Sequence, residues 1–222
     1  MTLPRLCYNL PMTAAIVLAA GLSRRMGQFK LTLPWGDRTV IGQVVATLEA
    51  AGEAAGIEQI IAVTGHRSAE VTQALAGTIA RSVFNQDYAS GEMLGSIRTG
   101  LRALDAEPFA TLLCLGDQPQ MMAATVRGVV AAGSESGWGQ IVIPSYRMRA
   151  GHPILLPRWL WPAVLDCPGT LRDVMAAHRT RTRFLVVETA TVLADLDTPE
   201  DYAAEAGGTT ARGAAAEATN HS

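Results

Sequence analysis

A carboxylate follows a buried apolar segment in the middle of the chain. Residues 111–115 are apolar apart from the first, and Gly116, Asp117, Gln118 and Pro119 come directly after them. The apolar run predicts a β-strand that ends at the glycine, so Asp117 falls at the strand's carboxyl end, where open α/β sheets bind ligands. The same four residues are also typical of an ordinary turn. Asp117 is therefore either a cation ligand or part of a turn.

A loop near the start of the chain collects three positive charges. Residues 14–19 predict a short strand, and a loop with small residues and cations follows. Small side chains let backbone N–H groups surround an anion, and the arginines and lysine add charge for a triphosphate. Solvated arginines beside glycines are the alternative. The spacing fits neither a P-loop nor G-x-G-x-x-G. The candidate nucleotide-binding positions are Leu18, Ala19, Ala20, Gly21, Ser23, Arg24, Arg25 and Lys30.

Predicted strands and helices alternate along the chain. Strands are expected at residues 14–19, 59–64, 81–85, 111–115, 141–144, 152–156 and 183–187. Helices are expected at residues 40–51, 68–76, 94–104, 123–132, 158–165, 171–178 and 201–206. Such alternation implies a mostly parallel sheet with helices on both faces. The sequence thus predicts one Rossmann-like α/β domain over residues 14–206.

Composition excludes several classes of protein. Lys and Arg number 18 against 20 Asp and Glu, which gives a net charge of -2 and no basic excess for nucleic acid or membrane surfaces. Three scattered cysteines argue against a disulfide framework or a zinc site. No segment has the ~20 apolar residues of a membrane span, so we expect a cytoplasmic protein. Residues 1–13 are predicted to be an extension that lacks a signal-peptide pattern, with Met12 as an alternative start, and residues 207–222 a disordered tail.

Several motifs together resemble a known family. The run L-A-A-G-L-S-R-R-M-G-x-x-K at residues 18–30 is similar to the signature of the MobA-like nucleotidyltransferases, which transfer a nucleotide to the pterin of the molybdenum cofactor. The resemblance covers roughly residues 14–202, and Ala20 and the Gly-His-Pro motif are more similar to the cytidylyltransferase branch than to the guanylyltransferase branch. The later motifs are V-T-G-H (63–66), N-Q-D-Y (85–88), G-D-Q-P (116–119), G-H-P (151–153) and D-L-D-T-P-E-D (195–201).

The resemblance implies a reaction, a metal and a set of residues. It implies the nucleotide-diphospho transferase fold and transfer of a cytidylyl group from CTP, or of another nucleotide, to a molybdopterin-type acceptor with release of pyrophosphate. Mg²⁺ would be held by Asp117 and Asp197, with Asp195 as the alternative to Asp197. Arg25 and Lys30 join Asp117 as catalytic candidates. Asp197 or the next residue, Thr198, is also a candidate N-cap of a helix.

Two further positions are implied for the nucleotide. Gly65, after the second strand, is expected to shape the pocket. Ser96 follows a loop that in the family closes over base and ribose, although Leu94 and Gly95 depart from the family's usual Met-Ser-rich sequence. Ser96 is therefore expected either to donate to the nucleotide or to cap a helix.

The acceptor side is implied by a third group of residues. Arg147 and Arg149 would supply cations to a pterin phosphate, or they are solvated residues of a hairpin turn. His152 would orient the acceptor or pack beneath the loop.

Two other functions use the same residues differently. The acceptor could be a sugar phosphate or another small molecule, since fold does not fix substrate. The protein could instead be a non-catalytic carrier that delivers the cofactor to a molybdoenzyme. A carrier does not need both Asp117 and Asp197, so their presence together with Lys30 favours catalysis. If the protein is an enzyme, a molybdoenzyme or a cofactor chaperone is the expected recipient of its product.

Overall fold

The computed structural model describes residues 13–90, 92–105 and 107–206, except for the side chains of Arg24 and Glu53. The predicted tail at 207–222 and all but the last residue of the predicted extension at 1–13 lie outside these ranges. The first strand begins at Thr13, one residue earlier than predicted.

Most of the strands form one mixed sheet. Their order is β10–β7–β9–β6–β1–β4–β5, with β8 paired to β7, while β2 and β3 form a separate hairpin. All pairs in the path are parallel except those of β9, which runs antiparallel to β6 and β7. The strands are β1 Thr13–Ala19, β2 Pro34–Trp35, β3 Arg38–Thr39, β4 Ile57–Thr64, β5 Ala80–Phe84, β6 Ala110–Leu115, β7 Ile141–Tyr146, β8 Arg149–Ala150, β9 Ile154–Pro157 and β10 Thr182–Val186.

Helices cover both faces of this sheet. Helices α1, α2 and α4 pack on one face and α3, α5 and α6 on the other, so the architecture has three layers. The helices are α1 Val40–Ala55, α2 Ser68–Ala74, α3 Met93–Arg102, α4 Ala123–Glu135, α5 Trp161–Asp166, α6 Leu171–Ala177 and α7 at residues 199–206.

Alternation along β1 explains why both faces need a cover. Ala15 and Val17 point into the core under α1 and α4, whereas Ile16 points into the opposite core under α3. All three side chains are fully buried. Burying a large aliphatic side chain is worth roughly 1.5–3 kcal/mol, and a one-residue slip would exchange the two faces, so the apolar pattern fixes the register.

The chain order places a crevice beside β1. The connection through α1 leads from β1 to β4 on one side, and the connection through α3 returns to β6 on the other side. Because these helices lie on opposite faces, the carboxyl ends of β1 and β6 border a switch point, the usual ligand site of such sheets.

The predicted α/β class and mostly parallel sheet are confirmed, and each predicted element is present within a few residues. The β2–β3 hairpin was not predicted, because two-residue strands have no usable periodicity. The strand that was expected to begin at residue 152 begins at Ile154, because Pro153 has no N–H with which to pair. Within the described ranges, no helix is long and apolar enough to cross a membrane.

Candidate active site

Two carboxylates from distant parts of the chain meet on one lysine. The Lys30 ammonium forms an ion pair with Asp117 and lies 3.3 Å from Oδ1 of Asp197. Arg25 reaches Oδ2 of Asp197 at 2.8 Å, although its side chain is 72% exposed. The Lys30 side chain is only 13% exposed, so its two ion pairs are less screened by water than that of Arg25.

Asp117 is held in place by the glycine before it. Gly116 donates its N–H to the carbonyl of Leu18 at 3.0 Å and so continues the pairing of β6 with β1. A Cβ at Gly116 would lie 2.8 Å from that carbonyl oxygen. Only glycine permits this approach, which places Asp117 beside the end of β1.

Asp197 arrives on the segment that follows β10. The N–H of the buried Leu196 donates to the carbonyl of Asp117 at 3.1 Å, which joins the two acidic segments directly. Thr198 caps α7, because its Oγ1 accepts from the N–H of Asp201 at 3.2 Å and Asp201 Oδ2 accepts from the N–H of Thr198 at 2.9 Å. Hydrogen bonds to the Asp201 carboxylate from the side chain and the backbone N–H of Thr198 hold the pKa of Asp201 below its usual value. The cap is therefore Thr198, and the carboxylate of Asp197 is left for the two cations.

A third carboxylate lies behind these two. Gln118 donates from Nε2 to Oδ1 of Asp195 at 2.6 Å. Burial raises the pKa of Asp195, and the nearby charges of Asp117 and Asp197 act in the same direction, against the Gln118 hydrogen bond and Lys30. Asp195 is thus protonated more readily than an ordinary aspartate.

The loop after β1 returns to the sheet through Ser23. Ser23 adopts a left-handed conformation, with φ of 49°, and its Oγ accepts from the N–H of Lys30 at 3.4 Å. Lys30 is therefore brought back beneath the carboxylates. The side chain of Arg24 is outside the described part of the structure.

A cavity of about 310 Å³ opens above the carboxylates. Its lining includes residues that the sequence predicted and residues that it did not. The predicted residues are Leu18, Ala20, Gly21, Arg25, Ser96, Asp117 and Asp197. The other residues are Tyr88, Glu92, Met93, Leu115 and Asp195, of which Asp195 was expected only as an alternative metal ligand.

Ser96 lines this cavity, whereas Gly65 does not. Helix α3 begins at Met93 with Glu92 as its N-cap, so Ser96 lies inside the helix and does not cap it. Its Oγ accepts from Nδ2 of Asn85 at 3.0 Å, which leaves the hydroxyl proton free for a ligand. Gly65 lies beneath the cavity wall, since a Cβ there would be 2.5 Å from Cβ of Tyr88.

The predicted acceptor residues are not gathered at the cavity. Arg147 and Met148 have φ of 46° and 63° and form the two-residue turn between β7 and β8. Arg147 and Arg149 are exposed, and Arg147 lies over the ring of Tyr146. His152 lies inward of the turn, where burial lowers its pKa to about 4 despite the opposing charge of Asp117.

Comparison with known families accounts for this arrangement. Residues 15–182 match the MobA-like NTP transferase domain. The chain belongs to the MobA-like NTP transferase family. It is accordingly a nucleotidyltransferase, and the crevice between β1 and β6 is its candidate active site.

Named relatives span most of this MobA-like chain. The molybdenum cofactor cytidylyltransferase of Escherichia coli K12 is 28% identical over 188 residues, which cover 84% of this chain and 92% of the relative. The nicotine blue oxidoreductase of Paenarthrobacter nicotinovorans is 27% identical and covers 70% of this chain and 76% of its own. The names of these two proteins belong to different enzyme classes, so family membership alone does not fix the substrate.

Solved structures share the whole MobA-like fold. Rv0371c from Mycobacterium tuberculosis H37Rv superposes with a TM-score of 0.71 at 28% identity and covers 88% of this chain and 97% of its own. A second structure of that protein is a complex with manganese and superposes with a TM-score of 0.67.

The donor set of this MobA-like site suits a metal that arrives with its substrate. Within the described ranges, no group of three or more His, Cys, Asp or Glu side chains could hold a metal ion. Asp117 and Asp197 nevertheless converge on one ammonium, so two carboxylates already surround a single positive charge. Mg²⁺ often binds one or two carboxylates and completes its shell with phosphate oxygens and water. The residues fit such an ion.

Proposed function

We propose that this protein is a Mg²⁺-dependent nucleotidyltransferase that transfers the cytidylyl group of CTP to molybdopterin and releases pyrophosphate. The observation that carries the proposal is the convergence of Asp117 and Asp197 on Lys30 at the floor of a cavity lined by the loop after β1. The similarity to a molybdenum cofactor cytidylyltransferase supports the choice of nucleotide and acceptor.

The reaction joins two anions. A phosphate oxygen of the acceptor attacks the α-phosphorus of CTP, the new P–O bond forms, and the bond to the β-phosphate oxygen breaks, so that pyrophosphate leaves with the electron pair. The attacking phosphate is already ionised at neutral pH, so no general base is needed. Positioning and charge neutralisation are what the protein has to supply.

Lys30 and Arg25 supply the neutralisation from the protein. Without a ligand, Lys30 forms ion pairs with Asp117 and Asp197, and Arg25 forms one with Asp197. When CTP binds, the triphosphate becomes the stronger partner of both cations, and the carboxylates are released for the metal. Bound Mg²⁺ would act as a Lewis acid on the phosphate oxygens.

Backbone groups and Ser96 position the nucleotide. The small residues Ala20 and Gly21 line the cavity beside Asp117, so the triphosphate can approach the main chain closely. Ser96, held by Asn85 in the cavity wall, donates its hydroxyl to the base or ribose.

Incubating the purified protein with Mg²⁺, molybdopterin and each of the four nucleoside triphosphates tests the proposal by pyrophosphate release. We expect release with CTP. Release only when a sugar phosphate replaces molybdopterin would reject the acceptor proposed here, and tight molybdopterin binding with no release would support a carrier.

A further inference from the structure

A second cavity opens next to the candidate active site. It has a volume of about 450 Å³ and lies between the start of α3, at Glu92–Leu94, and the segment that leads into α6, at Gly169–Arg172. Glu92 and Met93 line both cavities, so the two are neighbours across these side chains. A molecule in the second cavity can therefore extend a group towards Asp117 past Glu92 and Met93.

The walls of this second cavity are tied to each other. Arg98 of α3 donates from Nε to the carbonyl of Val164 at 3.0 Å and from Nη2 to the carbonyl of Cys167. The start of α6 is fixed by a capping box in which the N–H of Asp173 donates to Oγ1 of Thr170 at 3.4 Å and the N–H of Thr170 donates to Oδ2 of Asp173 at 2.7 Å. Oγ1 of Thr170 also donates to the same carboxylate oxygen at 2.8 Å. Both walls are thus held before any ligand arrives, which lowers the entropic cost of binding.

The capping box also decides which polar groups face a ligand. Thr170 is engaged by Asp173, and Gly169 has no side chain that could contact a ligand. Two charged groups remain, the carboxylate of Glu92 and the guanidinium of Arg172. Neither side chain has a hydrogen bond or an ion pair with any residue in the described ranges. Asp173 and Arg172 interact only through space.

The rest of the lining is apolar. Met93 is 48% exposed, and Leu171 is half-buried at the opposite wall. A flat ring between these two side chains would cover apolar surface that is otherwise wet. Sugar hydroxyls gain nothing from such contacts.

We infer that the second cavity binds the body of the acceptor, a ring with adjacent N–H donors and a carbonyl or anionic oxygen. This inference rests on the nucleotidyl transfer proposed above. Glu92 accepts hydrogen bonds from the N–H groups of the ring, Arg172 donates to its oxygen, and Met93 and Leu171 contact its faces. The aminopyrimidinone edge of a pterin has this donor and acceptor pattern, and its phosphate then points into the first cavity.

Comparison of Arg172→Ala with Arg127→Ala tests this assignment. Arg127 is exposed on α4 and lines neither cavity, so it controls for the loss of one arginine. We expect Arg172→Ala to raise the KM for molybdopterin roughly tenfold or more, the usual effect of losing a charge-assisted hydrogen bond. The KM for CTP should stay within about twofold in both variants. An unchanged molybdopterin KM in Arg172→Ala, or an equal rise in both KM values, would overturn the assignment.

A binding measurement separates this inference from the proposed function. Equilibrium dialysis of molybdopterin without nucleotide should give weaker binding to Arg172→Ala than to Arg127→Ala, whether or not the protein releases pyrophosphate. If the parent protein turns over CTP and only Arg147→Ala weakens molybdopterin binding, the β7–β8 turn holds the acceptor and the second cavity does not. Absence of molybdopterin binding to the parent protein would also reject the inference.

Discussion

Lys30 balances two carboxylates that reach it from different directions. Asp197 lies 167 residues further along the chain, and Asp117 lies on the tip of a neighbouring strand. Two partly buried carboxylates this close to each other repel in the absence of a cation. The lysine removes that repulsion while the nucleotide is absent, so the site is assembled before the substrate arrives.

Asp117→Asn keeps the size of the side chain and removes its charge. We expect pyrophosphate release to fall roughly a hundredfold or more, because the variant loses one of the two proposed ligands of the Mg²⁺ that neutralises phosphate charge in the transition state. The melting temperature should change little. Asp37→Asn, on a side chain that is 86% exposed in the β2–β3 turn, is the matched control. Near-normal turnover of Asp117→Asn would show that this carboxylate does not bind the metal.

Lys30→Met removes the cation that the two carboxylates share. In metal-free buffer we expect the free energy of unfolding to fall by roughly 1–3 kcal/mol, since Asp117 loses its ion pair with Lys30 and Asp197 keeps only the exposed Arg25. Added Mg²⁺ should then raise the melting temperature of Lys30→Met more than that of the parent protein, because the ion no longer competes with the lysine. Thermal unfolding with EDTA and with Mg²⁺ gives both numbers. Equal shifts in the two proteins would argue against a cation site at these carboxylates.

Helix starts and strand ends position these residues. The carboxyl ends of β1 and β6 present the loop and Asp117, and the start of α7 presents Asp197 directly before its cap, Thr198. A cap directly after a candidate metal ligand couples the stability of the helix to the geometry of the candidate site.

Thr198→Ala should therefore affect both stability and activity. Loss of an N-cap costs about 1 kcal/mol, and the freed start of α7 loosens Asp197, which should raise the KM for Mg²⁺–CTP. Thr39→Ala removes the corresponding cap of α1, where Oγ1 accepts from the N–H of Gly42 at 3.1 Å. The control should lose similar stability in denaturant titrations without a change in KM. If both variants leave KM unchanged, the cap has no part in placing Asp197.

At the scale of the whole molecule, the segment after β10 borders the candidate site, although it lies far from β1 and β6 in the sequence. The carbonyl of Val192 accepts from the N–H of His152 at 3.0 Å, and a Cβ at Gly151 would lie 2.2 Å from the same oxygen. This close contact fastens residues 190–197 to the edge of the sheet next to the candidate site.

His152 makes global stability depend on pH. Its pKa is about 4 in the folded protein against an ordinary value of 6.5, because burial disfavours the charged ring. Below pH 6.5 His152 becomes protonated in the unfolded chain, whereas in the folded protein it stays neutral down to about pH 4. The folded state therefore loses stability as the pH falls through this window. Across the whole window the loss amounts to roughly 3 kcal/mol. Denaturant titrations of metal-free protein should show a flatter acid limb for His152→Gln, and parallel curves for the two proteins would contradict the assignment.

The sequence by itself determined the fold class and most of the charged residues of the candidate site. Periodicity is a local property, so β1, β6 and α3 were predicted to within a few residues. The cations of the first loop and the two acidic motifs were evident because each is a short run of neighbouring residues.

Only the tertiary structure decided which of these residues meet. The contacts between Lys30 and Asp197 and between Asn85 and Ser96 depend on how distant elements pack, and so does the cavity that Glu92 lines together with the segment before α6. The exposed arginines of the β7–β8 turn and the arginine of the second cavity look alike in sequence. All three side chains are exposed, but only Arg172 lines a cavity beside the candidate site, and packing between elements far apart in the chain sets that difference.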